Sequence, residues 1–288
     1  MNYIIVTNSI DRTSELVSRS LRASLNQKLP PLKVILIDQR EIPLSLPEDI
    51  TGHSLFERQL VKQKSVSSAR NSLRIPGEAD WIFFCDDDGF PCNDYSEKLQ
   101  KIILGNPQLE IIAGSIVRED NNEFYSLRHK KGGNLKYFRN TKNLMGSNFV
   151  VKVKTFNDLG RFDENFGAGS YWGSSEETDF CWKAYFAEKN LEFFKELIVY
   201  HAPPFNESTK TGFKKAFKYG MGKGALVWKW LGRKRKIKVC YELFEMFTVP
   251  FIQIVRGIFT LKFQFALNNI AIISGRIFGL VKAAFIKK

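Results

Sequence analysis

Three consecutive carboxylates, Asp86, Asp87 and Asp88, follow the apolar run Trp81-Ile82-Phe83-Phe84-Cys85 and end at Gly89. Side chains alternate along an extended segment, so Asp86 and Asp88 point to one side and Asp87 to the other. Two carboxylates facing one cavity suit a hard divalent cation, manganese or magnesium, which takes oxygen ligands and completes its shell with the phosphate oxygens of a nucleotide. A solvated acidic turn is the competing reading, although such a turn seldom starts at the end of a strand apolar enough to be buried on both faces. Two more acidic positions invite chemistry. Asp38 ends the run Val34-Ile35-Leu36-Ile37, at the carboxyl end of a parallel strand where open α/β sheets bind ligands. A simple strand-ending turn residue fits that spacing equally well. In Ser174-Ser175-Glu176-Glu177-Thr178-Asp179, Glu176 or Glu177 could act as a general base, since like-charged neighbours raise a carboxylate toward working pH. Ser174 with Glu177 three residues on also fits a helix capping box.

Alternating strands and helices must position these groups, which argues for an α/β fold with a mostly parallel sheet and helices on both faces. Strand patterns occur at Tyr3 to Thr7, Val34 to Ile37, Trp81 to Cys85, Ile111 to Val117, Met145 to Val151 and Leu197 to Tyr200. Helical periodicity covers Arg12 to Leu29, which stops at Pro30-Pro31, and Ser67 to Leu73. Arg118 to Arg139 is polar and glycine-containing, an excursion from the core.

At 288 residues with 44% hydrophobic content the chain can bury one large core and carry an appendage. Charge marks where the appendage begins. Residues 1 to 204 hold 26 Lys/Arg against 27 Asp/Glu, a net of −1, whereas residues 205 to 288 hold 17 against 3, a net of +14. So basic a segment seeks an anionic partner, a membrane surface or nucleic acid. The four cysteines show no CxxC pair and no zinc spacing with the histidines, and read as reduced core residues. The first residues are strand-like and Asp11 follows soon after, so no signal-peptide core is expected and the chain is expected to stay in the cytosol.

Taken in order, these pieces resemble the family 2 glycosyltransferases of the GT-A fold over roughly residues 3 to 204. The first strand with Thr7 and the second with Asp38 resemble the family's nucleotide-binding edge. Ser68-Ala69-Arg70-Asn71 resembles its ARN helix, and Trp81 to Asp88 its strand and DxD-type metal motif. Gly146-Ser147-Asn148, Gly160-Arg161-Phe162-Asp163-Glu164 and Glu176-Glu177-Thr178-Asp179 resemble its acceptor-half signature, commonly GGFDE and then ED followed by a second Asp. The resemblance implies that Thr7, Asp38, Arg70, Asp86 and Asp87 hold a nucleotide-sugar donor and that Asp86 and Asp88 take the metal-diphosphate. Residues 1–90 would form the nucleotide-binding half and 91–204 the acceptor half. Glu177 falls where the family has its catalytic Asp, with Glu176 as competitor, and Arg161 replaces the usual second glycine. Asn148, Trp172 and Asp179 would meet a glycan or lipid-linked acceptor; for Trp172, stacking on a sugar ring competes with core packing. His201 sits like the histidine that reaches the metal or diphosphate in related enzymes, and a structural role is its alternative.

A carboxylate base opposite the leaving group implies single displacement and inversion at the anomeric carbon, by the geometric reasoning that applies to inverting glycosidases. After Pro203-Pro204, Phe213, Phe217 and Met221 recur among lysines, and Arg233-Lys234-Arg235-Lys236 with Lys238 forms a cationic cluster. Val239 to Val255 and Phe263 to Ile286 are hydrophobic but interrupted by Glu242, Glu245, Pro250 and Arg276. Helices lying in the headgroup plane of the inner membrane face, peripheral to it, with aromatics buried and lysines facing anionic lipid, are expected for 205–288. No nucleic-acid fold signature accompanies the charge, so no nucleic-acid partner is expected. A nucleotidyltransferase could also use carboxylates and a metal but would not need the acceptor-half signature. A membrane-bound nucleotide-sugar binder without catalysis is the other alternative, should the Glu in place of Asp mean that the base is lost.

Overall fold

The apolar runs become strands because their side chains are hidden on both faces, and all of them join one sheet. A computed structural model describes residues 1–202 and 209–286, so the expected boundary at 204 lies outside the described residues. In chain order the first elements are β1 (Tyr3–Ser9), α1 (Ser14–Leu25), β2 (Lys33–Asp38), α2 (Glu48–Thr51), β3 (Phe56–Leu60), α3 (Val66–Asn71), β4 (Trp81–Asp86) and β5 (Gly89–Pro91). They continue with α4 (Tyr95–Gly105), β6 (Ile111–Arg118), α5 (Leu127–Lys131), β7 (Phe149–Lys152), α6 (Val153–Asp158), α7 (Glu176–Phe186) and β8 (Leu191–His201).

The eight strands lie in the order β3-β2-β1-β4-β7-β6-β8-β5. Pairing is parallel from β3 through β4 and between β6 and β8, and β7 and β5 run against their neighbours, so the sheet is mixed but mostly unidirectional. Alternation sends Ile4, Val6, Ile82 and Phe84 to one face, where α3, α6 and α7 add Ala69, Phe156 and Phe180. Tyr3, Ile5, Trp81 and Phe83 go to the other, against Val17 and Leu21 of α1 and Leu99 of α4. Helices therefore cover both faces, as alternating βα order demands.

Local chemistry trims the expected elements. α1 starts only at Ser14, where the Thr13 hydroxyl accepts from the Leu16 N–H as an N-cap. The strand expected from Met145 begins at Phe149, because Met145 to Asn148 turn back on themselves through an Asn148 N–H to Met145 carbonyl bond.

By contacts the chain forms two compact units, Met1–Phe162 with Phe180–Pro203, and Asp163–Asp179 with Pro204–Lys288. The turn-rich acceptor signature from Asp163 thus groups with the tail. That second unit contains α8 (Thr209–Val227), a π-helical turn Trp228–Arg233, a 3-10 turn Ile237–Val239, α9 (Cys240–Phe259) and α10 (Phe263–Phe285). Within it α8 and α10 meet backbone to backbone. A Cβ at Gly220 or Gly224 would collide with the Ile272 or Arg276 carbonyl, and one at Gly275 or Gly279 with that of Phe217 or Met221. Small residues at spacing four on both helices make such an approach possible. Gly222 lies as closely on Trp172 and Ser174, so α8 also fixes the segment that leads into α7.

Candidate functional site

β4 ends at Asp86, and Asp87 and Asp88 form the turn to β5, so a turn rather than the expected strand alternation brings Asp88 back beside Asp86. Ligand atoms of Asp86, Asp88 and His201 all lie within 4.8 Å of one another. His201 is brought there by β8, whose last residue pairs with Gly89 at the start of β5. Its Nδ1–H donates to the Ala202 carbonyl at 2.8 Å, and its Nε2 lies 3.0 Å from Asp88 Oδ1. A histidine fixed through one ring nitrogen and two carboxylates form a donor set that fits a divalent cation such as manganese. Asp87 turns away and accepts from the Ser9 hydroxyl at 2.5 Å.

Cations surround this acid cluster. Arg12 reaches Asp88 Oδ2 at 2.7 Å and Asp87 Oδ1 at 3.4 Å. Burial opposes the ionised Asp88, yet its bond to His201 and the His201 and Arg12 charges outweigh it and hold its pKa below the usual carboxylate range. Burial would likewise depress His201, but Asp88 raises it to about 9. For Asp87 burial wins, and its pKa rises to about 6 against the Ser9 hydrogen bond.

Arg70 ends α3 beneath the same edge. Its Nε donates to Asn8 Oδ1 at 2.9 Å and one Nη to Asp86 at 3.1 Å, while the guanidinium lies over the Phe84 ring. The other Nη of Arg70 and the Thr7 hydroxyl are buried with no hydrogen-bond partner among the described residues. Orphaned polar atoms beside a carboxylate cluster are what a phosphate- or hydroxyl-bearing ligand would satisfy. Asn71 pins Arg161 and Phe162 by accepting from the Phe162 N–H and donating to its carbonyl. Arg161 sits at φ 54, the left-handed region where the family's glycine would be at ease, and its guanidinium is engaged by the Asn71 carbonyl and Asn157.

Other expected residues are wired into the fold. Asp38 is fully buried, and its oxygens accept from Arg40 and from the Leu44 N–H, shaping the loop after β2. The Asn148 amide donates to the Ser115 and Leu197 carbonyls and accepts from the Tyr95 hydroxyl. Sequence reading missed Ser9, Arg12, Arg40 and Tyr125. Arg40 bridges Asp38, Ser9 and the Arg12 carbonyl, and the Tyr125 ring lies 5.0 Å from that of His201. The one signal for the first two was their place just beyond a parallel strand, where such sheets hold ligands.

In the second unit, Glu176 and Glu177 occupy the first turn of α7, where the helix dipole favours carboxylates. Successive residues point about 100° apart, so the two carboxylates do not share a direction. Ser175 enters the helix at φ 77, and the Ser174 hydroxyl is directed to Ser175 and the Tyr219 carbonyl. Asp179 is completely buried; its Oδ1 accepts from Trp230 Nε1 at 2.7 Å and meets Lys229 Nζ at 2.7 Å. Lys229 also holds Asp163 at 2.8 Å, and although burial opposes it, this pairing pulls Asp163 down to about 2. Trp172 lines a cavity of about 650 Å³ with Tyr171, Trp228, Asn165 and Arg233.

No protein-family model matches the sequence, and no curated protein matches it. Solved structures do match in fold. The S. aureus TarS 1-349 fragment in complex with UDP-GlcNAc shares 12% identity at a TM-score of 0.58, over 80% of this chain and 67% of that one. Its complex with UDP gives 13% and 0.55, over 81% and 71%. Against S. aureus TarS beyond that fragment the values are 12% and 0.55, and 82% of this chain covers 44% of that one. The eight-stranded sheet with its carboxylate edge therefore shares its fold with the S. aureus TarS structures.

Proposed function

We propose that this chain is an inverting, metal-dependent glycosyltransferase of family 2 that moves a sugar from a nucleotide donor, UDP-linked, to a glycan or lipid-linked saccharide at the cytoplasmic membrane face. The observation that carries the reading is the convergence of Asp86, Asp88 and His201 beside the orphaned Arg70 nitrogen, at the ligand-binding edge of this fold. The UDP-GlcNAc and UDP bound to TarS support the donor class.

Asp86, Asp88 and His201 would hold the divalent cation, whose contribution when bound is Lewis-acid neutralisation of a departing diphosphate. Arg70, Thr7, Asp38 and Asp87 serve the nucleotide side: Arg70 offers its free N–H to a ligand oxygen, and Asp38 keeps the loop after β2 in shape. Arg12 keeps Asp88 ionised. Glu177, with Glu176 as its competitor, takes the proton of the acceptor hydroxyl. As that oxygen bonds to the anomeric carbon, the bond to the diphosphate oxygen breaks and its electron pair leaves with the diphosphate. Trp172 and Asn148 serve the acceptor side, and Asp179 anchors the start of α7 through Lys229 and Trp230.

The test is a panel of nucleotide sugars screened for thermal stabilisation with manganese, followed by transfer of a radiolabelled sugar from the best stabiliser. A UDP-sugar should stabilise most, and only with the metal present. Stabilisation by nucleoside triphosphates alone would favour nucleotidyl transfer instead.

A further inference from the structure

We propose that the α9–α10 hairpin is immersed along one side in the acyl region of a membrane leaflet, so that the tail is a monotopic anchor and not only a charged surface resting on headgroups. This deepens the membrane-face part of the reading above and is independent of the donor chemistry.

The hairpin is built inside out. On α9 the exposed positions include Phe244, Phe251, Ile252, Val255 and Phe259; on α10 they include Phe263, Leu267, Ile270, Phe278 and Val281. Recurring three, four, seven and eight residues apart, with Phe251 and Ile252 adjacent, they keep each set on one stripe, the stripe a water-facing helix gives to charge. On α10 the buried positions are instead small apart from Asn269, namely Ala266, Ala271, Gly275, Gly279 and Ala283, and on α9 they are Glu242, Met246, Pro250 and Gly257, with no aromatic residue among them. α10 is the one helix among the described residues long and apolar enough to cross a membrane, and only 28% of its apolar window is buried, which sets it apart from a soluble core helix.

Charge is confined to the ends of the hairpin. No charged residue lies between Met246 and Val255, or from Phe263 to Gly275. These stretches run side by side, since Arg276 donates to the Met246 carbonyl and Gly257 lies against Ala266. The α9 stretch rises about 14 Å at 1.5 Å per residue, the depth of one leaflet rather than of a bilayer. Arg256 and Lys262 near the turn are exposed and have stems long enough to snorkel to the headgroups, which favours a hairpin lying along the surface over one standing across it. Arg233 to Arg235 are exposed at the other end, and with a net of +14 over 205–288 an anionic bilayer complements this unit where a second copy of it would repel.

The experiment is co-sedimentation of the full-length protein with phosphatidylcholine vesicles, with and without phosphatidylglycerol, in low and high salt. Beside it runs the variant Phe251→Glu/Ile270→Glu, its fold checked by circular dichroism. Acyl-chain immersion predicts that high salt weakens binding to anionic vesicles by no more than about threefold, because only surface charge is screened. It also predicts that the double variant binds at least about tenfold more weakly at either salt. Release of the wild type by salt alone, or wild-type binding by a folded double variant, would overturn the proposal. So would a lipid-free dimer that the double variant dissociates while its vesicle binding stays intact. Should the double variant misfold, quenching by acyl-brominated lipid in Ile270→Trp decides: more quenching than in wild type supports immersion, and equal quenching refutes it.

Discussion

The carboxylate edge of the sheet and the α9–α10 hairpin are built by opposite rules. At the edge, strands hidden on both faces end in charges, and most of those charges are matched: Asp88 by Arg12 and His201, Asp38 by Arg40, Asp86 by Arg70. What remains unmatched is polar and points to a polar ligand. In the hairpin, α10 turns glycine and alanine inward, α9 turns Glu242, Met246, Pro250 and Gly257 inward, and Phe, Ile and Val of both helices lie outside. What remains unmatched there is apolar surface. The difference teaches that the two regions leave opposite kinds of surface unmatched, which on the reading proposed above serve phosphate and metal at the edge and lipid at the hairpin.

The largest effect that could break this contrast lies at the edge. Asp88→Ala removes a donor from the Asp86–Asp88–His201 cluster and takes from Arg12 its 2.7 Å contact with Asp88. Sugar transfer should fall by about 10³-fold or more, the scale at which electrostatic groups in active sites act. A folded variant with near-wild-type turnover in chelator would mean that the edge is not a metal site.

Next comes the base. Glu177→Gln should lower kcat by about 10²- to 10⁴-fold with donor affinity little changed, the pattern of a group that acts only in the transition state. Glu176→Gln is the control, and a greater loss in the control would reverse the assignment within the pair.

A third effect concerns stability of the sheet side. His129 is buried, its Nδ1 accepts from the Ile116 N–H at 3.0 Å and its Nε2 lies 3.0 Å from the Asn143 carbonyl, so the neutral ring is satisfied. Burial lowers its pKa to about 4, below the ordinary 6.5. The unfolded chain therefore takes up the proton first: stability is full above pH 6.5 and declines as pH falls toward 4, with about 2 kcal/mol lost by pH 5. Asp87 and His201, both raised, gain stability over the same interval, so the His129 share is the difference between wild type and His129→Gln in their urea midpoints at pH 7 and pH 5, with the wild type losing more on acidification than the variant. An effect of similar size is expected on the hairpin side. Gly279→Leu should destabilise by about 1–3 kcal/mol through overpacking against the Met221 carbonyl, read as a lower thermal midpoint in detergent.

Legibility followed the same contrast. β1, β2, β4 and β6 were readable because strands buried on both faces are continuous apolar runs. β3 was not, since Phe56-Glu57-Arg58-Gln59-Leu60 is an edge strand with no such run, and β5 exists only through its three pairs with β8. Asp86, Asp88 and His201 were readable as residue types at strand ends. Ser9, Arg12 and Arg40 were not, because their partners are set by the pairing of β1 with β2 and β4 rather than by spacing. In the tail, the paired glycines at 220 and 224 and at 275 and 279 were a spacing signal for close helix contact, overshadowed by the charge. Charge and the amphipathic pattern pointed to headgroup-plane helices with aromatics buried; which aromatic residues of α9 and α10 face outward is a matter of helix packing, which composition does not reveal.

The central claim is that the carboxylate edge binds a nucleoside diphosphate through a divalent cation. Calorimetric titration of the wild-type protein with UDP, with and without manganese, tests it most directly. The account predicts saturable one-to-one binding that manganese strengthens at least about tenfold, since the cation shields the Asp86 and Asp88 carboxylates from the diphosphate. No binding in either condition, or equal affinity in both, would contradict it.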